Sequence, residues 1–161
     1  MNEIQEFLKS QEQPRKKPLR RVIDKSWYPR YEAAHRLNQD RLYPSVVRDH
    51  GYVKTTFPDT TKANGLTNAI INFIMWHGYR ATRISSSGRM VDGKYIPGST
   101  RKGAADISST IRGMSVMWEV KVGKDRPSPE QLREQQLEQA AGGKYFFVHT
   151  FNEFLLLYDK L

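Results

Sequence analysis

From about Pro58 onward the chain alternates between apolar positions at helical spacing and apolar positions at strand spacing. Leu66, Ile70, Ile71, Phe73, Ile74 and Met75 predict a strongly apolar core helix, capped by Thr60, Thr61 or Asn64, ending near His77 and stopped by Gly78. Residues 79–84 read as a strand. A polar stretch opens at Ser85-Ser86-Ser87-Gly88 and runs through Pro97-Gly98 to Lys102-Gly103, predicting a long basic loop. Two alternating runs follow. In residues 105–111, Ile107 and Ile111 share one side, with Asp106, Ser108 and Thr110 on the other. In residues 115–122, Val116, Trp118, Val120 and Val122 make an apolar face, with Ser115, Met117, Glu119 and Lys121 opposite. Arg112-Gly113 stands between the runs as a hairpin turn. A two-residue turn there, or a four-residue loop from Ile111 to Met114, pairs Ile111 with Met114, Ser109 with Val116, Ile107 with Trp118 and Asp106 with Glu119. A three-residue loop would not.

Further on, Ser128, Pro129 and Gln131 form an S-x-x-Q capping box with proline at the first helical position, starting a helix that runs to about residue 141. Gly142-Gly143 ends it. Residues 145–149 are an apolar strand, and with residues 115–122 they predict a β-α-β unit with parallel strands. Residues 152–161 predict a closing helix that packs Phe154, Leu155 and Tyr158. Before Pro58 no apolar period is sustained. Residues 1–58 therefore read as a basic, aromatic-containing arm, and residues 59–161 as the globular domain. Ile4 to Leu8 gives a short amphipathic start, followed by the proline-flanked basic run from Pro14 to Arg21. Trp27, Tyr28, Tyr31 and Tyr43 then interleave with Arg30, Arg36 and Arg41. These aromatics fit either stacking on bases or docking on the domain or a partner chain.

The 161 residues are 38% hydrophobic, enough for one modest core with an extension. Lys and Arg number 26 against 17 Asp and Glu, and the formal charge of +9 favours a polyanionic partner, nucleic acid ahead of an anionic membrane surface. No apolar run is long enough to span a bilayer, and Met1 to Leu8 lacks the pattern of a signal peptide, which predicts a cytoplasmic location. The absence of cysteine excludes disulfides, thiolate metal sites and a cysteine nucleophile. His35, His50, His77 and His149 show no ligand spacing, so a bound metal should be hard and oxygen-ligated, Mg²⁺ or Mn²⁺.

The hairpin register turns a common spacing into a geometric expectation. Two carboxylates opposed on a ladder repel, and a divalent cation between them would remove the conflict. Two acids and a lysine so placed suit a metal-dependent phosphodiesterase, whereas an exposed surface charge pair would account for Glu119 and Lys121 alone. Arg83, Arg89, Lys94, Arg101, Lys102, Lys124 and Arg126 are the candidates for phosphate contacts.

The segment Gly103-Ala104-Ala105-Asp106-Ile107, followed by Trp118-Glu119-Val120-Lys121 and Ser128-Pro129-Glu130-Gln131, resembles the PD-(D/E)xK nucleases, in particular their VRR-NUC branch of phage-encoded and Holliday-junction-resolvase-like enzymes. The resemblance spans about residues 62–154 and leaves the arm outside. It implies an α/β fold with a restriction-endonuclease-like αβββαβ core, a mixed central sheet flanked by helices. It implies a Mg²⁺-dependent endodeoxyribonuclease acting on DNA, with branched or junction forms as candidate substrates and a homodimer as candidate assembly. Asp106 and Glu119 would bind the metal with the Val120 carbonyl, Lys121 would position or activate the attacking water, and Gln131 would stand beside the site, contacting Lys121 or a phosphate. One departure concerns the first helix, where related enzymes carry a glutamate and this chain offers Thr67, Asn68 and Asn72. Two rival readings are a non-catalytic nucleic-acid-binding module and a phage structural or packaging protein whose arm holds nucleic acid or a partner protein.

Overall fold

The hairpin around Arg112-Gly113 forms the centre of a four-stranded sheet. The computed structural model describes residues 24–84, 89–91, 93–96 and 102–161. In chain order the elements are α1 (Tyr28–Leu42), α2 (Pro44–His50), α3 (Ala63–Trp76), β1 (Arg80–Arg83), β2 (Arg89–Val91), β3 (Lys94–Ile96), β4 (Ile107–Ile111), β5 (Met114–Val120), α4 (Pro129–Ala140), β6 (Lys144–Val148) and α5 (Phe151–Tyr158). The main sheet has the order β1-β4-β5-β6. β1 pairs antiparallel with β4, β4 antiparallel with β5, and β5 parallel with β6. The run α3-β1-β4-β5-α4-β6 is the expected αβββαβ core with a mixed sheet.

The expected register holds: Ile111 lies opposite Met114, Ser109 opposite Val116 and Ile107 opposite Trp118. Arg112 and Gly113 have φ of 50° and 81°, the paired positive values of a tight hairpin turn, with arginine where asparagine is the commoner choice. Ile107, Ile111, Val116, Trp118 and Val120 point into the core, against Leu66, Ile70, Phe73 and Ile74 of α3 and Phe151 and Phe154 of α5. The Trp118 indole donates to Ser109 Oγ, which itself donates to the Val116 carbonyl, so the polar atoms on this apolar face are satisfied.

Several expectations need correction. The described part of the supposed arm belongs to the core: Trp27, Tyr31 and Ala34 are buried there. The Trp27 and Phe151 rings lie 4.6 Å apart, and Tyr28 stacks on Phe57 at 4.0 Å. Docking on the domain is therefore the correct reading for Trp27, Tyr28 and Tyr31, whose rings are not free for bases. Arg30 makes a two-pronged ion pair with Asp159, Arg36 pairs with Glu32, and Arg41 donates to Asn38 and the Met75 carbonyl. Helix α3 has Lys62 at its cap position with no side-chain cap bond. The expected caps are engaged elsewhere, Thr61 with Asp59 and Asn64 with Arg83. The expected loop after residue 84 contains a two-stranded antiparallel sheet, β2 with β3. The basic run from Pro14 to Arg21, the start at Ile4 to Leu8, and Arg101 lie outside the described residues. No helix among the described residues is long and apolar enough to cross a membrane.

Candidate active site

The site forms where the β4-β5 ladder ends. Ile84 N–H donates to the Asp106 carbonyl at 2.8 Å, which fixes Asp106 at the mouth of the sheet. The ladder stops at Ile107 and Trp118, one pair short of Asp106 and Glu119. There the Asp106 side chain takes over, its Oδ2 accepting from the Val120 N–H at 2.9 Å. The first carboxylate is thus set by the backbone of the residue between Glu119 and Lys121.

Strand alternation puts Glu119 and Lys121 on the polar face of β5, yet both are buried, at 4% and 5% exposure. Helix α4 reaches Glu119 from its first turn. Ser128 caps it reciprocally with Gln131, as the S-x-x-Q spacing predicts. The Gln131 amide oxygen accepts from the Ser128 N–H, and its Nε2 donates to Glu119 Oε1 at 2.5 Å. Gln131, expected to contact Lys121 or a phosphate, therefore reaches Glu119. Gln135 donates to the Tyr145 carbonyl, and Glu138 accepts from the Ser115 hydroxyl. Helix α4 has no buried residue of its own and is held to the sheet by this polar stripe at helical spacing.

Lys121 Nζ lies 3.0 Å from Glu119 Oε1 and 3.4 Å from Asp125 Oδ2. Glu119 Oε1 is thus shared by two donors, while Oε2 is buried without a hydrogen-bond partner. Burial, and next the Asp106 charge, raise the Glu119 pKa above the usual carboxylate value, against the opposing pull of Lys121. For Lys121, burial works to lower the pKa, but the carboxylates of Glu119 and Asp125 outweigh it and the net direction is up. The lysine is held as a cation.

A buried carboxylate oxygen with no partner, beside a second carboxylate that disfavours its charge, is a donor set suited to a hard divalent cation. Asp106 and Glu119 fit such an ion. Among the described residues no group of three acidic or histidine side chains forms a fuller metal cluster. Of the helix candidates, Asn72 donates to the Tyr31 hydroxyl in the core, and Asn68 is exposed. Thr67 is buried.

Two contributors escaped the sequence reading. Asp125 binds Lys121 from just past a glycine turn, and an acid four residues after a lysine was the available signal. Tyr145, buried on β6, donates to the Gly103 carbonyl. Burial first, then the charges of Glu119 and Asp106, push its phenol pKa up and keep it a donor. Gly103 has φ of 84°, and a Cβ there would stand 2.6 Å from the Glu130 carbonyl oxygen. The G-x-x-D segment and the S-x-x-Q helix thus touch in space, with glycine permitting the approach.

The predicted phosphate contacts are more scattered. Arg83 is exposed and donates to Asn64 at 2.6 Å. Lys94, Lys102, Lys124 and Arg126 are exposed, the last two on the segment joining Lys121 to α4, and Arg89 opens β2.

No protein-family model matches the chain, and no curated protein does. Among solved structures the chain is similar to one described as a VRR_NUC domain, at 23% sequence identity and a TM-score of 0.44, over 61% of this chain and 96% of that one.

Proposed function

We propose that this protein is a divalent-cation-dependent nuclease that hydrolyses phosphodiester bonds in DNA. The observation that carries the reading is Glu119: one oxygen is held by Gln131 and Lys121, and the other is buried without a hydrogen-bond partner. Asp106, Glu119 and the Val120 carbonyl would hold Mg²⁺ or Mn²⁺. When bound, such a cation supplies Lewis acidity toward a phosphoryl oxygen and acidifies an attacking water. Asp106 is pre-aimed by the Val120 N–H, and Glu119 by Gln131. Lys121, kept charged by two carboxylates, offers positive charge where the transition state gathers negative charge. Its raised pKa favours that role over general base. Arg83, Lys124 and Arg126 supply exposed cations near the site for flanking phosphates.

The test is cleavage of duplex, branched and single-stranded DNA with Mg²⁺ or Mn²⁺ and with chelator. Wild type is expected to cut only with the cation. Asp106→Ala and Glu119→Ala should lower the rate by at least about a hundredfold, the scale on which loss of transition-state stabilisation is felt. Binding without cleavage on every substrate would sink the enzyme reading and leave a non-catalytic binding module.

A further inference from the structure

We infer that the outer face of β1 and β4 holds the backbone of a duplex on one side of the scissile phosphate, so that the site receives paired DNA and not a free single strand. The inference rests on the nuclease reading for the position of that phosphate.

Strand register decides which side chains share this face. Thr110 lies between Arg80 of β1 and Ser115 of β5, and Ser108 lies between Thr82 and Met117. Opposed residues on a ladder point to the same side. Alternation then carries the row from Thr110 through Ser108 to Asp106, and from Ser115 through Met117 to Glu119. The row is a track that ends at the two carboxylates. From Asp106 to Thr110, at about 3.4 Å per residue, it runs about 14 Å, the length of about four base-pair steps.

Among the described elements nothing covers this track. β1 and β4 pack on α3 in the core layer and on their sheet neighbours, α4 lies against β6, and β2 and β3 contact only each other. Arg80, Thr82, Thr110 and Ser115 are exposed. The inward-facing Ser109 hydroxyl both donates and accepts, whereas those of Thr82, Ser108 and Thr110 have no hydrogen-bond partner among the described residues.

The chemistry of the row selects the ligand. It carries a guanidinium and a line of hydroxyls, with no acid until the site itself. At the rim, Glu138 of α4 is taken by the Ser115 hydroxyl, and the hairpin tip adds the exposed Arg112. Hydroxyl and guanidinium donors suit phosphate oxygens, and such contacts fix position without reading sequence. Single strands are held by stacking their bases on aromatic rings, and the row contains no ring. A backbone whose bases are already paired needs none.

Fluorescence anisotropy of the full chain with a labelled duplex and with its labelled single strand, in chelator so that nothing is cut, tests this. Wild type is expected to bind the duplex at least about tenfold more tightly than the single strand. Thr110→Glu sets a carboxylate opposite Arg80, a favourable cross-strand pair, so it should keep a cooperative thermal melt while weakening duplex binding at least about tenfold. Leu156→Glu, at an exposed position on α5 behind the sheet, makes the same change in net charge and should leave duplex binding within about twofold. Should Thr110→Glu fail to melt cooperatively, Thr82→Glu on β1 replaces it with the same expectation. Single-strand binding as tight as duplex binding, no loss in Thr110→Glu, or an equal loss in Thr110→Glu and Leu156→Glu would each overturn the inference. Duplex binding that depends on Thr110 in a protein that never cuts with Mg²⁺ or Mn²⁺ would keep the surface and overturn the nuclease reading instead.

Discussion

Glu119 carries opposite consequences with and without a cation. Its pKa is raised in the folded chain, first by burial and then by Asp106. The folded state therefore binds its proton more tightly than the unfolded state does. The stabilisation from this group is complete below the ordinary carboxylate pKa and is lost as pH rises through the raised folded value. Without divalent cation, wild type should lose stability relative to Glu119→Gln as pH climbs from about 4 toward neutrality, read from urea midpoints of both proteins across that range. With Mg²⁺ or Mn²⁺ at neutral pH the order should shift. A cation at a hundred times its dissociation constant adds about 2.7 kcal/mol to wild type and should add nothing to Glu119→Gln. Equal cation response in both proteins would remove Glu119 from the metal site. Glu119 and Lys121 were legible because strand alternation and a spacing of two residues fix their common side. Gln131 was legible as a cap, but its hold on Glu119 depends on where the helix lands across the sheet, which local pattern does not encode.

At the scale of elements, the site is a junction of three segments: the mouth of β4, the end of β5 and the first turn of α4. Gly103 is the point of closest approach, with its carbonyl taken by Tyr145 and its α-carbon against Glu130. Gly103→Ala must both hold a positive φ and displace the Glu130 backbone. It should cost about 1–3 kcal/mol of stability, measured as a shift in denaturation midpoint, and should also weaken cation binding measured by calorimetry, because moving the first turn of α4 moves Gln131. Lost stability with unchanged cation affinity would separate the loop from the site. The hairpin register was readable in advance because every loop length compatible with Arg112-Gly113 and the alternation gave the same pairing. The β2-β3 pair was not, since its strands have three residues each and sit in a stretch whose polarity suits a loop equally well.

For the whole molecule, the decisive point is that residues 24–57 complete the core. Trp27 and Tyr31 pack on Phe151, and Tyr31 also meets Trp76. Removing residues 1–57 should therefore abolish cooperative unfolding and near-ultraviolet dichroism. A truncated chain that still melts cooperatively would restore the two-part organisation read from sequence. That reading failed for a physical reason: aromatic rings interleaved with arginines are what a base-stacking surface needs and equally what a helix needs to seal a core while presenting charge to water. Burial alone distinguishes the two, and it is not a local property.

The double use of Gln131 narrows what its position can accept. A helix that opens on serine closes its capping box equally well with glutamate or glutamine three residues on. Here the outer end of that side chain also faces a buried carboxylate, so glutamate would satisfy the helix and set two negative charges against each other inside the protein. The amide meets both demands because one end accepts and the other donates. A position that helix chemistry leaves open to two residues is reduced to one by its neighbour across the sheet.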